Sequence, residues 1–134
     1  MAMIRLIYSS RPFGFDAAVL NSILTMARHC NMRDDITGAL ICREDLYLQL
    51  LEGPAEMVEG AYARISRDGR HLEVNQLVRE PITERLFPQW AMRDDPAKTW
   101  MWTARQVDDG AVEQASRDDV VAVFKRLAAE PADA

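Results

Sequence analysis

The run LYLQLLE at residues 46–52 constrains the fold most, because five of its first six residues are apolar or aromatic. A strand with one face in water alternates between apolar and polar residues, whereas a strand covered on both faces need not alternate. The run therefore predicts a central strand with a packed layer on each side. Its polar member, Gln49, needs hydrogen-bond partners there, because an unpaired buried amide costs about 1–3 kcal/mol.

A sheet and two helices are predicted around that strand. Four more strands are predicted from β-forming residues at 3–9, 36–42, 73–80 and 87–93. Apolar residues spaced three and four apart predict one helix from Asp16, its capping residue, to about residue 31, and another over about 55–67. The order βαββαββ predicts an α+β sandwich of the ferredoxin-like type, with both helices on one face of the sheet.

The last forty residues predict one or two short helices. The clearest, at 119–129, places Val120, Phe124 and Leu127 on one stripe. We expect this stripe to cover the second face of the sheet. Upstream, the segment TWMWTARQ at 99–106 carries two tryptophans and a methionine, which we expect to pack in the core rather than at an interface.

Composition indicates one globular domain and excludes several classes of function. The chain has 134 residues, 49% of them hydrophobic, and a net charge of −5. Nucleic acid is not expected as a partner, because phosphate binding needs an excess of lysine and arginine. No apolar run approaches the roughly 18 residues of a membrane helix, and the start MAMIRLIYSS does not read as a signal peptide. Cys30 and Cys42 lack disulfide or zinc spacing, which predicts buried reduced thiols and a cytoplasmic protein.

Several side chains are expected to converge between the helices and the sheet. Side chains alternate along a strand, so Trp90 would share a face with Met92 on the fifth strand. On the first helix, Ile23 and Asn31 lie on one line that points at the sheet. An apolar pocket with a few polar groups is typical of a site for a planar ligand. The residues that would line it are Tyr8, Ile23, Asn31, Gln49, Ile65, Trp90 and Met92.

Each of these residues also has a purely structural explanation. A strand tyrosine, an asparagine in the last turn of a helix and a Trp–Met pair all occur more often as packing residues than as ligand contacts. A buried glutamine bound to a backbone group is about as frequent as one bound to a ligand. Patterning alone therefore indicates a small α+β domain with a candidate ligand pocket.

Five motifs, taken in order, resemble the BLUF family of blue-light sensors that use FAD. They are RLIYSS, Asn31 followed by ITGAL, YLQLLEGP, RISRDGRH and RLFPQWAM. The resemblance implies that residues 1–93 form a flavin-binding domain and that 94–134 form a helical extension of the same compact unit. It also implies a photoreceptor that is not an enzyme, since the residues after 93 are too few for a cyclase, phosphodiesterase or DNA-binding domain.

The resemblance implies a role for each site residue. Tyr8 would give an electron and a proton after the flavin absorbs light, and Gln49 would bridge the two and return in a rotated or tautomeric form. Trp90 and Met92 would relay the signal. The cofactor would be non-covalently bound FAD, with FMN left open, and no metal is implied. The implied cofactor-binding residues are Tyr8, Ile23, Asn31, Gln49, Ile65 and Met92.

Some positions depart from the family pattern or are less clearly implied. Cys30 stands where many members have histidine or asparagine, and Ala27 where many have serine; we expect a lost flavin contact from the first and an altered Gln49 environment from the second. Arg70 and His71 stand in the family's DxRH signature, where the resemblance favours a structural role on the solvent side at least as much as a role in the site. Family habit implies a homodimer or higher homo-oligomer and a downstream protein partner of unknown identity.

Three other functions stay open on the sequence. A flavin enzyme working in the dark would oxidise NAD(P)H steadily. A cofactor-free ferredoxin-like interaction domain would stay colourless after refolding with FAD. A photosensor that forms a cysteine adduct would bleach in light instead of shifting its absorption to the red.

Overall fold

The structure is a computed structural model that describes residues 2–12, 17–69, 71–96 and 100–130. Within these residues it contains five strands and four helices. The strands are β1 (Met3–Pro12), β2 (Thr37–Arg43), β3 (Leu46–Pro54), β4 (His71–Ile82) and β5 (Arg93–Pro96). The helices are α1 (Ala17–Asp34), α2 (Ala55–Ser66), α3 (Ala104–Asp108) and α4 (Arg117–Ala129).

The strands form one sheet in the order β4-β1-β3-β2-β5. The first four are antiparallel to their neighbours, and β5 adds to β2 in parallel. The first four strands thus have the predicted ferredoxin-like arrangement, and the α+β class is confirmed. In this order β3 lies between β1 and β2, the central position that its apolar sequence requires.

Two separate cores cover the two faces of the sheet. On one face, Tyr47 and Leu51 of β3 pack with residues of α1 and α2. On the other, Leu48 and Leu50 pack with residues of α3 and α4, among them the fully buried Phe124. Each leucine that loses its contact with water contributes about 1.5–3 kcal/mol, so β3 stabilises the fold through both of its faces.

Gly38 permits close pairing of β2 with β3. A Cβ atom at this position would lie 1.9 Å from the backbone oxygen of Leu50, closer than any side chain can approach. Gly38 also donates its backbone N–H to the carbonyl of Trp90 at 3.0 Å. The glycine therefore brings both the central strand and the segment before β5 against β2.

The predicted fifth strand at 87–93 is wrong, because β5 begins only at Arg93. Phe87 leaves the sheet to pack edge-on against Phe124, with ring centroids 6.3 Å apart. The N–H of Trp90 then turns back to the carbonyl of Phe87 at 3.3 Å. This turn replaces the extended backbone, so Trp90 and Met92 do not share a strand face. The other elements lie close to the predicted ranges, with α1 continuing to Asp34; the predicted cap, Asp16, is outside the described residues.

The chain after β5 packs on the sheet as expected. Met101 is buried in the α4-side core, and Trp100 and Trp102 pack against it. Arg126 lies over the Trp100 ring, 4.4 Å from its centroid. Arg93, itself buried, donates to the carbonyls of Leu127 and Glu130 at the end of α4, at 3.2 and 3.0 Å. The division of the chain at residue 93 stays a prediction.

Candidate functional site

An apolar cavity of about 170 Å³ lies between α1, α2 and the sheet. Ile23 on α1 and Ile65 on α2 line it with aliphatic groups, and the amides of Asn31 and Gln49 add polarity. A slot with aliphatic walls and a few amides suits a flat molecule with one polar edge. The other lining residues are Met26, Ala27, Cys30, Leu51, Ala61, Arg64, Asp68 and His71.

Tyr8 and Gln49 are direct neighbours across the β1–β3 ladder. The Tyr8 hydroxyl donates a hydrogen bond to Oε1 of Gln49. Tyr8 is fully buried and Gln49 is nearly so. Burial raises the pKa of the Tyr8 phenol well above its ordinary value, and the nearby Tyr62 and Asp68 raise this pKa further. The phenol is therefore neutral and acts as a donor, with Gln49 standing between it and the cavity.

The other end of the Gln49 amide is also paired. Its Nε2 donates to the thioether sulfur of Met92 at 3.3 Å. Sulfur is a weak acceptor, so this contact holds the amide less firmly than the tyrosine bond does. Both ends of Gln49 thus have buried partners, which accounts for a glutamine in the middle of an apolar strand.

The segment before β5 is tied to α1 at two places. Asn31 is buried, and its Nδ2 donates to the carbonyl of Ala91 at 2.8 Å. Arg28 donates from Nε to the carbonyl of Met92 at 3.2 Å. These bonds place Met92 against Gln49. Asn31 thus contacts both the cavity and the backbone beside Met92.

Trp90 is not among the residues that line the cavity, a placement that the sequence left open. Its side chain is 39% exposed, whereas Met92, two residues later, is 1% exposed. The turn after Phe87 removes the strand geometry that would have placed both side chains on one face. Of the predicted cofactor-binding residues, Tyr8 and Met92 lie behind Gln49. The other four line the cavity: Ile23, Asn31, Gln49 and Ile65.

His71 belongs to the site, and the structure thus decides between the two roles that the sequence left open. It is 6% exposed and lines the cavity. Its Nδ1 lies 2.9 Å from the Ser10 hydroxyl, and its ring is 5.2 Å from that of Tyr47. The first residue of β4 reaches the cavity because this edge strand pairs with the end of β1. Arg70 lies outside the described residues.

Sequence reasoning also missed Arg64 and Asp68 at the cavity. They lie at the end of α2 and in the loop after it, where charged residues usually face water and carry no periodic signal. Cys30 lines the cavity half-buried instead of buried as expected, and Cys42 is buried; neither is in a disulfide. No group of three or more metal-ligating side chains occurs in the ranges that the structure describes.

The residues fit a flavin. Ile23 and Ile65 come from facing helices and suit the two sides of a planar ring, and the two amides suit its polar edge. The Arg64 side chain is 45% exposed and lies at the cavity, where a cation suits phosphate groups.

A ferredoxin-like sheet with a buried Tyr–Gln pair behind a slot between two helices is the architecture of a small α+β domain built to hold a flat ligand. Residues 3–93 match the family model described as sensors of blue-light using FAD. The chain therefore belongs to the BLUF family, whose cofactor is FAD, and the implied membership and cofactor are confirmed.

Relatives of known sequence support this assignment. The chain is 36% identical over 74 residues to photoactivated adenylate cyclase subunit beta of Euglena gracilis, a match covering 54% of the chain and 9% of that protein. It is 33% identical over 73 residues to the blue light- and temperature-regulated antirepressor BluF of Escherichia coli, covering 54% of the chain and 18% of that protein. The matches thus span a minor part of these relatives.

Solved structures match nearly the whole chain. The dark-state structure of BlrB, a BLUF protein, superposes with a TM-score of 0.81 at 32% identity and covers 96% of each chain. The photo-activated state of BlsA gives 0.80 at 25% identity and covers 98% of this chain and 99% of that one. The C-terminal helices are therefore part of the shared architecture. In the described portion of the chain, no helix has both the length and the hydropathy needed to cross a bilayer.

Proposed function

We propose that this blue-light sensor is switched by proton-coupled oxidation of Tyr8, with Gln49 as the movable element. The observation that carries the proposal is the continuous chain of contacts from the Tyr8 hydroxyl through both ends of the Gln49 amide to Met92. Each member of this chain is buried, so bulk water does not compete for these bonds.

When bound, the flavin supplies an absorber of blue light whose excited state accepts an electron from an oxidisable neighbour. Tyr8 is held as a neutral phenol, the form that can lose an electron and a proton together. A phenol that has lost an electron is strongly acidic, and the hydrogen bond already in place leads its proton to Oε1 of Gln49. The β1–β3 register holds Tyr8 and Gln49 in contact before light is absorbed.

Gln49 suits the bridging role because an amide both donates and accepts hydrogen bonds. When Tyr8 regains both its electron and a proton, Gln49 can be left rotated or as its imidic tautomer. Rotation changes which atom faces Met92, and tautomerisation leaves the atoms in place but changes which of them donates. A leucine at this position would have no polar atom to exchange, and the switch would not exist.

The segment before β5 transmits the change at Gln49 to the rest of the domain. Met92 contacts Gln49, and its backbone is tied to α1 through Arg28. The same segment reaches α4 through Phe87. We propose that the resulting shift alters a protein–protein contact, in a homodimer or with a downstream partner, and that the chain is not itself an enzyme. Two cysteines outside any disulfide suit action in the reducing cytoplasm.

The test is the absorption spectrum before and after blue illumination of the chain purified with FAD. We expect a small reversible red shift that is absent in Gln49→Leu. Gln76→Leu is the matched control. Gln76 is exposed on β4 and pairs with Tyr8 across the β1–β4 ladder, on the edge of β1 opposite to Gln49. A red shift that survives in Gln49→Leu would contradict the proposal. Steady NAD(P)H oxidation in the dark would instead favour a flavin enzyme.

A further inference from the structure

A cluster of oxidisable side chains surrounds Tyr8, and the switch described above uses only Tyr8. The ring of Tyr62, from α2, lies against that of Tyr8 with centroids 5.6 Å apart and planes at 51°. The centroid of the His71 ring lies 6.0 Å from that of Tyr8 and 5.2 Å from that of Tyr47. Separations in this range are those of aromatic pairs in contact. Tyr62 is thus a second phenol directly beside the first.

We propose that Tyr62 is a second electron donor. It returns an electron to photo-oxidised Tyr8, and this reaction competes with signalling. The inference rests on the proposed oxidation of Tyr8. Two phenols lose an electron about equally well in the same medium, so their surroundings decide which one keeps the oxidised state. Tyr8 is fully buried, whereas Tyr62 is half-buried and reached by water.

The difference in burial favours transfer from Tyr62. A positive charge in an apolar interior is costly unless its proton can leave. The proton of Tyr8 can move only within the buried pair with Gln49. Tyr62 packs at the edge of the same core, so its proton can be released to solvent. Desolvation also raises the pKa of Tyr8, because the buried site favours the neutral phenol over a charged form.

The electrons and protons balance without a further reagent. Tyr8 has lost one electron to the light-excited flavin and passed its proton to Gln49. Tyr62 then gives one electron to Tyr8, which takes its proton back from Gln49. The phenolic proton of Tyr62 goes to water, leaving a neutral phenoxyl radical at residue 62. The Tyr8–Gln49 bond is restored in its original form, so this branch ends without a switched glutamine.

The inference predicts where a trapped radical resides. The full chain loaded with FAD is frozen under blue light and measured by electron paramagnetic resonance, and the red-shifted product is quantified in parallel at room temperature. We expect a neutral tyrosyl radical in the wild type that is lost in Tyr62→Phe, together with a higher yield of red-shifted product in that variant. Tyr47→Phe is the matched control, because it removes a buried phenol that contacts His71.

The outcomes separate this inference from the switch itself. A wild type that shows the red shift but no tyrosyl radical, or a radical that persists in Tyr62→Phe, would overturn the inference and leave the switch intact. A wild type with no red shift would mean that the proposed function has failed. Should Tyr62→Phe not bind flavin, Tyr62→Trp decides the question: the trapped signal should become that of a tryptophanyl radical, and an unchanged tyrosyl signal would refute the proposal.

Discussion

Nε2 of Gln49 donates to the sulfur of Met92 at 3.3 Å, joining the central strand to the irregular segment before β5. The contact crosses from one element to another without any backbone pairing between them. In the switch proposed above, a change of the Gln49 side chain would reach that segment through this contact. Because sulfur is a weak acceptor, the bond costs less to break than a bond to an oxygen.

Met92→Leu should keep the fold and slow the return to the dark state. Leucine has a similar volume, so the cost in unfolding free energy should be below about 1.5 kcal/mol. The donor at Gln49 loses its acceptor in the dark form, and a lost hydrogen bond of this kind corresponds to a recovery slower by roughly 2- to 10-fold. Recovery is followed by absorption after a light pulse.

Met101→Leu is the control for that variant, because Met101 is buried in the core on the opposite face of the sheet. Its recovery rate should equal that of the wild type. Equal recovery in Met92→Leu and wild type would show that the sulfur contact has no part in the switch.

Tyr8→Phe should bind flavin and show no red shift. The substitution keeps the buried ring but removes the hydroxyl that donates to Gln49. Flavin binding should survive because Tyr8 lies behind Gln49. The unpaired Oε1 should lower the free energy of unfolding by about 1–3 kcal/mol, measured by denaturant titration. Tyr47→Phe, also fully buried on that face, should retain the red shift; a shift in Tyr8→Phe would refute the role of the phenol.

Glu52→Gln should destabilise the fold strongly. Glu52 is fully buried, and its carboxylate accepts from Arg5 at 2.9 Å and from the backbone N–H groups of Leu86 and Phe87 at 2.8 and 3.2 Å. Neutralising Glu52 removes the nearest negative charge from the buried Arg5. Breaking a buried ion pair lowers the free energy of unfolding by about 3–5 kcal/mol. Glu44→Gln, at an exposed turn, should have little effect in the same titration. Similar losses in the two variants would contradict this account.

Glu80 should make stability depend on pH on the acid side. Its carboxylate bonds with Arg117 at 2.5 and 2.6 Å, and this contact lowers the pKa of Glu80 below the ordinary 4.5. A depressed pKa in the folded state means that the stabilisation is complete above pH 4.5 and is lost as the pH falls through the lowered value. Unfolding measured from pH 6 to acid should show a shallower decline in Glu80→Gln than in the wild type. An identical decline would exclude this contribution.

Much of the fold could be predicted because its signals are local. The β3 run specified a strand covered on both faces, and the three- and four-residue spacing specified α1 and α2. Alternation gave the residues that share a face with Tyr8 and those that share a face with Gln49, and the β1–β3 register put the two on one side of the sheet. The fifth strand begins later than predicted for a tertiary reason: Phe87 lies outside the sheet and packs on Phe124. Residue pattern at 87–93 carries no information about that distant ring.

The sequence by itself determined the α+β class, the family and the residue types of the site, because periodicity and motifs are properties of neighbouring residues. Tertiary structure decided that Met92 faces Gln49 while Trp90 faces water, and that His71 and Tyr62 surround Tyr8. These contacts join residues far apart in the chain. They depend on strand register and on a turn whose position is set by the packing of both faces of the sheet.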